Sequence, residues 1–112
     1  MQSRELARLA ARAAVDKKAI DVVILDVANQ TVVTDFFVIC SGNSRPQVQA
    51  IVENIEEKLS EAGVKPQHSE GYERAQWVLL DYGSFVVHVF MQREREFYNL
   101  ERLWGDAEVV EV

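Results

Sequence analysis

Three side chains in the stretch WVLLDYGSFVVHVF, residues 77–90, are of types that could do chemistry. Asp81 and His88 belong to two of the three residue types of a Ser–His–Asp set, in which the imidazole moves a proton and the carboxylate orients it, although such a set could be assembled from any chain of this length. Trp77 is a residue type that contributes much of the binding energy of protein interfaces. The simpler alternative is that all three are core and turn residues.

Nucleophilic and metal-assisted catalysis find little support in the sequence. No G-x-S-x-G motif is present, and Cys40, in the apolar run FFVIC, has no sign of an activating base. We therefore expect Cys40 to be a buried thiol in a reducing compartment. His68 and His88 lie far apart, and neither has a second His or Cys at the spacing of metal ligands. We predict no metal and no cofactor.

The motif SGNS, residues 41–44, could bind an anion, because it follows an apolar run and opens a helical pattern. It has one glycine and no P-loop lysine, so the signal is weak. Ser44 and Gln47 have the S-x-x-Q spacing of a helix-capping box, which explains the same residues without a ligand.

Phosphoryl or nucleotidyl transfer would need acidic side chains that hold a divalent metal on an apolar scaffold. The acid-x-acid pairs are Glu94-x-Glu96 and Asp106-x-Glu108, and we expect both of these highly charged segments to be exposed. Asp81 stands alone and is more simply a turn residue. We find no catalytic set of residues and predict that the protein is not an enzyme.

The composition is that of a soluble globular protein, with 112 residues, of which 48% are hydrophobic and 27% charged. It predicts a single domain over residues 1–112, no membrane span and a cytoplasmic location. The net charge of -6 fits a basic protein partner better than a nucleic acid. Residues 1–18 differ, with five Lys or Arg and two Asp or Glu, and we interpret them as a folded amphipathic helix rather than a transit peptide.

Hydrophobic periodicity and turn residues predict the order helix, strand, strand, helix, strand, strand, helix. This order indicates an α/β fold, with a small mixed β-sheet and helices packed on it. The polar residues 64–75 are predicted to be irregular. The predicted elements are a helix over 3–15, strands over 22–27 and 36–40, a helix between Ser44 and Gly63, a hairpin within 77–90 and a short helix within 92–107.

The hairpin is predicted to turn at Tyr82-Gly83. Odd positions from Trp77 to Asp81 would then share a sheet face with even positions 84–88, because side chains alternate along a strand. In this register Trp77 lies opposite His88.

Aromatic residues are concentrated in the C-terminal half of the chain, and in so small a domain we expect some of them to be exposed. Phe97, Leu100 and Trp104 fall on one side of the terminal helix. We expect Phe97 and Leu100 to lie in the core, whereas exposed Trp and Tyr side chains would form an interaction surface.

Three segments in this order resemble the ribosomal silencing factor family, also called the Iojap family. They are DFFVICSGNSRPQVQAIVENIEEKL, EGYERAQWVLLDYGSFVVHVF and REFYNLERLWGDA. The combination of SG-x-S, EG…WVLLDYG, VVHVF and FYNLERLW is specific, although no single piece would be. The resemblance covers the chain from the first helix to Ala107.

The resemblance implies a nucleotidyltransferase-like α/β fold without enzymatic activity. It also implies binding to the large ribosomal subunit through its fourteenth L-series protein, at the face where the small subunit docks. Bound there, such a protein hinders subunit joining and represses translation. Organellar relatives act in large-subunit assembly, so an assembly factor is one alternative and an inactive nucleotide-binding module is another. Exposed aromatic residues also leave a homodimer open.

Together with the predicted hairpin face, the resemblance places a partner-binding surface on the hairpin and the terminal helix. We expect an aromatic centre with acidic residues around it, which would meet a basic ribosomal protein with little direct nucleic-acid contact. The expected partner-binding residues are Trp77, Leu79, Asp81, Tyr82, Gly83, His88, Tyr98, Leu103 and Trp104.

Overall fold

A six-stranded mixed sheet organises residues 2–112, which are the residues that the computed structural model describes. The helices are α1 (Ser3–Asp16), α2 (Arg45–Glu61), α3 (Gln92–Tyr98) and α4 (Leu100–Leu103). The strands are β1 (Ile20–Asp26), β2 (Phe36–Gly42), β3 (His68–Glu70), β4 (Trp77–Asp81), β5 (Phe85–Met91) and β6 (Glu108–Val110). Their order is β3-β4-β5-β2-β1-β6, in which β2 and β5 are parallel and the other neighbours are antiparallel.

The seven predicted elements are present in the predicted order, which confirms an α/β fold with a small mixed sheet. The two three-residue strands are not predicted by the sequence. β3 lies within residues 64–75, so the prediction that this whole segment is irregular is wrong there. β3 is defined by its pairing with β4, and β6 by its pairing with β1, rather than by an apolar pattern of their own.

One face of the sheet is covered by α1 and α2, and we call it the helix-covered face. Leu59 of α2 is fully buried there, and Asn54 ties the two helices by donating from Nδ2 to the Ala13 carbonyl oxygen at 2.8 Å. Cys40 is buried against the same core, as predicted, and burial raises the pKa of its thiol to about 12. None of the described helices has the length and hydropathy that a membrane span needs.

The opposite face is covered only by the C-terminal segment, and we call it the open face. A small buried cluster lies beneath that segment, formed by Leu25, Val27, Ile39 and Phe90. The C-terminal side chains that pack on this cluster are themselves only partly buried, so the cover is incomplete. They are Leu100, Trp104 and Ala107.

The hairpin of β4 and β5 turns one residue later than predicted. Tyr82 donates its amide to the Phe85 carbonyl oxygen at 3.0 Å, so the turn residues are Gly83 and Ser84. Each pair therefore shifts by two residues, and Trp77 lies opposite Phe90 instead of His88.

Because a shift of two residues keeps the alternation of side chains, the predicted sharing of one face is retained. Trp77, Leu79 and Asp81 share the open face with Val86, His88 and Phe90.

The terminal helix is divided where the sequence predicts a single one. Asn99 adopts a left-handed conformation, with φ 47° and ψ 57°, and this residue separates α3 from α4. Asparagine tolerates that conformation better than most residues with a side chain. After the break, Leu100 and Trp104 pack against the sheet, whereas Phe97 is 79% exposed. The prediction that Phe97 lies in the core is therefore wrong.

Candidate partner-binding surface

Six rings form a continuous aromatic cluster on the open face. The Trp77 ring centroid lies 5.0 Å from that of Phe90 and 4.8 Å from that of Tyr98. Phe37 lies 5.1 Å from His88 and 5.2 Å from Trp104, both with edge-to-face geometry. These separations are in the range of attractive ring packing. The cluster consists of Phe37, Trp77, His88, Phe90, Tyr98 and Trp104, and it joins the hairpin to the C-terminal segment.

His88 supports Trp77 from below rather than forming part of the outer surface. It is 5% exposed, and its Nδ1 accepts a hydrogen bond from Trp77 Nε1 at 3.1 Å. Burial lowers the pKa of His88 to about 4, so the ring is neutral at pH 7. Since Nδ1 is the acceptor, the proton of the neutral ring lies on Nε2, which is buried and has no hydrogen-bond partner among residues 2–112.

Leu79 and Asp81 continue the open face towards the hairpin turn, and both are partly buried. The Asp81 carboxylate accepts a hydrogen bond from the Gly83 amide at 2.8 Å, which is the local contact expected of a turn aspartate. Gly83 has φ +86°, and a Cβ at this position would approach Gln67 Nε2 to 2.8 Å. Gly83 therefore shapes the turn, and Leu79 is the apolar side chain at this end of the open face.

Tyr82 is an expected surface residue that the structure places on the opposite face of the sheet. It is buried in the core of the helix-covered face, where its ring stacks on Phe85 at 4.8 Å with an interplanar angle of 7°. Burial raises the pKa of its hydroxyl above the ordinary value. Because the turn begins one residue later than predicted, Tyr82 still belongs to the alternation of β4 and points away from Trp77.

The C-terminal segment supplies the most exposed apolar side chains near the aromatic cluster. Tyr98 is 48% exposed and Leu103 is 74% exposed, and together with Phe97 they line one shallow depression. Glu96, Asn99 and Arg102 also line the depression. Exposed aromatic and aliphatic side chains next to charged ones are a composition found at protein interfaces.

The alternative chemistries gain no support from the described residues. Among residues 2–112, no group of three or more His, Cys, Asp or Glu side chains could hold a metal ion. Ser44 caps α2 as predicted, because its side chain accepts from the Gln47 amide at 3.2 Å, but the second bond of the predicted capping box runs to Asn43 instead of Ser44. The Asn43 amide donates to Gln47 Oε1 at 2.7 Å, so two amides that could cradle an anion are already paired.

Arg95 is the important residue near this surface that the sequence reasoning misses. It is buried, and it donates to Glu101 across the break at Asn99. An arginine in the charged run QRERE reads as solvated, because its partners are backbone carbonyls and a carboxylate that come near only in the folded chain. Apart from Tyr82, the expected partner-binding residues lie on the open face or at the turn between β4 and β5.

Comparison with known proteins gives one consistent result. The family model described as "Ribosomal silencing factor during starvation" matches residues 1–112. The chain is 50% identical to a protein of Halalkalibacterium halodurans named "Ribosomal silencing factor RsfS", over all of this chain and 96% of that one. It is 45% identical to the Bacillus subtilis protein of the same name, over all of this chain and 95% of that one.

A solved structure shows the same fold. The crystal structure of a Chromobacterium violaceum protein matches with a TM-score of 0.91 at 39% sequence identity, over 94% of this chain and 88% of that one. The fold and the sequence resemblance therefore agree along almost the whole chain.

Proposed function

We propose that this chain, which belongs to the ribosomal silencing factor family, binds the large ribosomal subunit through the fourteenth L-series protein of that subunit. Bound there, it prevents the small subunit from joining and so represses translation. The whole of residues 1–112 would act as one silencing domain. The mechanism is steric, because two bodies cannot occupy one face, and it requires no covalent step.

The observation that carries the proposal is the incompletely covered aromatic cluster. The sheet is packed on its helix-covered face and carries exposed aromatic and leucine side chains on its open face. Such an exposed apolar area is typical of an interaction surface. The C-terminal segment that borders the cluster, residues 92–112, contains three arginines and six Asp or Glu, which gives it a net charge of -3. A basic protein surface is therefore the partner that the electrostatics favour.

The expected residues take different roles in this proposal. The partner would be contacted by the side chains of Trp77, Leu79, Tyr98, Leu103 and Trp104. His88 would orient Trp77, while Asp81 and Gly83 would shape the turn at the end of the surface. Tyr82 would take no direct part, because its side chain is buried on the helix-covered face.

Sedimentation with separated ribosomal subunits, followed by a subunit-joining assay, tests the proposal. The protein should pellet with large subunits alone and lower the yield of joined ribosomes. Leu103→Ser should weaken binding about tenfold, as expected for an interface side chain whose truncation costs ~1.4 kcal/mol. Val15→Ser is the matched control, because Val15 is also an exposed apolar residue, 50% exposed, but lies on α1.

Each contrary outcome has a definite meaning. Failure to bind either subunit would remove the proposal. Binding to large subunits without an effect on joining would favour the alternative of an assembly factor. A homodimer built through the same surface would show as concentration-dependent sedimentation of the free protein that Leu103→Ser abolishes and Val15→Ser does not.

A further inference from the structure

We propose that Arg95 is a positioning residue whose buried guanidinium holds α3, α4 and Trp104 in the arrangement that a partner meets. Arg95 orders this segment through its own contacts, whereas its effect on partner binding rests on the proposed function.

The guanidinium of Arg95 is fully engaged. It is 6% exposed, and its five N–H groups make five hydrogen bonds. Nε and Nη2 donate to the two carboxylate oxygens of Glu101 at 3.2 and 3.1 Å, the planar bidentate geometry that only arginine offers. Nη1 donates to the Ile20 carbonyl oxygen at 2.9 Å and to the Ser41 hydroxyl at 3.2 Å. Nη2 also donates to the Asp21 carbonyl oxygen at 2.6 Å.

An irregularity in β1 creates half of this site. The register of β1 against β2 shifts between Ile20 and Val23, and Asp21 adopts a left-handed conformation with φ 47°. In a regular strand successive carbonyl groups point to opposite sides of the strand, towards its two neighbours. Here the Ile20 and Asp21 carbonyls both accept from one side chain, so the irregularity gives Arg95 two acceptors on the sheet.

The ion pair with Glu101 depends on the break at Asn99. Residues six apart in a continuous helix are rotated by roughly 120° from one another, so Arg95 and Glu101 could not meet in such a helix. The left-handed Asn99 brings them together, and the ion pair then holds the bend. One guanidinium therefore joins β1, β2, α3 and α4.

Few apolar side chains are buried in α3 and α4, so apolar packing contributes little to holding this segment on the sheet. Arg95 is the buried residue of α3, and α4 has no buried residue. Leu100 and Trp104 are only partly buried. A segment with so few buried contacts opens locally at low cost unless polar contacts hold it. When the segment is open, Tyr98 and Leu103 no longer form one surface with Trp77, and affinity falls in proportion to the competent fraction.

Arg95→Lys and Glu101→Gln test the proposal, with Arg93→Lys as the matched control on the exposed side of the same helix. Hydrogen exchange followed by mass spectrometry is measured for residues 99–107 and for β2. In both test variants the amides of residues 99–107 should exchange about tenfold faster, close to the rate of an unfolded segment. The amides of β2 should exchange as in the wild type, because a local opening affects only the segment that opens. Their affinity for purified large subunits should fall about tenfold, whereas Arg93→Lys should match the wild type in both measurements.

Three results would overturn the proposal. Unchanged exchange in residues 99–107 would show that other contacts order the segment. An equal rise of exchange in β2 would make Arg95 a general stabiliser of the sheet. Exchange in residues 99–107 close to the rate of an unfolded segment, with unchanged affinity, would show that the segment does not position a binding surface. If wild-type protein itself fails to bind large subunits, the proposed function fails, and the exchange data still decide whether Arg95 orders the segment.

Discussion

The two faces of the sheet are closed by different means. α1 and α2, with 14 and 17 residues, bury the helix-covered face beneath alanine, isoleucine and leucine side chains. On the open face, α3 and α4 have 7 and 4 residues, and a buried arginine takes the place of an apolar stripe. The first arrangement supplies stability through burial, while the second keeps large apolar groups accessible. One sheet thus separates a core that holds the fold from a surface suited to recognition.

Truncation of a leucine on each face should give the largest difference between them. Leu59→Ala should lower the free energy of unfolding by about 3 kcal/mol, because Leu59 is fully buried and its loss leaves a cavity. Leu100→Ala should cost only about 1 kcal/mol, since Leu100 is already partly exposed and water can fill the space. Urea unfolding of both variants measures the difference, and equal losses would contradict a contrast between the faces.

The open face should also respond to pH through His88. Burial lowers its pKa from 6.5 to about 4, so between these values the unfolded chain binds a proton that the folded protein does not. The free energy of unfolding should therefore fall as the pH drops through this window, by about 3 kcal/mol in total. Urea unfolding at pH 7 and pH 4 measures the change, and His88→Phe should remove this part of it. A variant with the pH dependence of the wild type would show that His88 is not the titrating group.

A polar contact on the helix-covered face should matter less than its apolar core. Asn54→Ala removes the hydrogen bond to Ala13 and leaves a buried carbonyl without that partner, which should cost about 1–2 kcal/mol. Thermal unfolding should show a lower Tm for Asn54→Ala and no change for the exposed control Glu57→Ala. A loss as large as that of Leu59→Ala would mean that this face, too, relies on polar anchoring.

Substitution of the exposed aromatic residue should have the smallest effect. Phe97→Ser should change the free energy of unfolding by less than about 0.5 kcal/mol, because the ring is 79% exposed. Urea unfolding of Phe97→Ser, compared with that of Leu100→Ala, measures this free energy. A larger loss would mean that the outer side of α3 contributes to the fold, and the contrast between cover and surface would have to be redrawn.

The sequence predicts the elements well and their exact fit poorly, and the reasons differ by residue. Alternation placed Trp77, Leu79 and His88 on one face, because a face depends only on parity along the strands. It did not place the turn, since Tyr82-Gly83 and Gly83-Ser84 both satisfy the turn preferences. Tyr82 therefore moved from the expected surface to the core.

The C-terminal segment shows a second limit of sequence reasoning. Helical periodicity gave Phe97 and Leu100 a common side, but the left-handed Asn99 between them divides the helix and separates their directions. The two carbonyls that Arg95 binds lie more than seventy residues earlier, with sequence separations of 75 and 74. No local pattern reports such a partner, so Arg95 could be found only in the folded chain.

The lateral edges of the sheet have a consequence for self-association. The outermost strands, β3 and β6, are three residues long, and each contains an exposed glutamate, Glu70 or Glu108. Short, charged edge strands offer few free backbone groups to a neighbouring copy and repel it when it approaches in register. The molecule can therefore expose an aromatic surface while its sheet edges oppose fibrous growth. Concentrated solutions should not form cross-β aggregates.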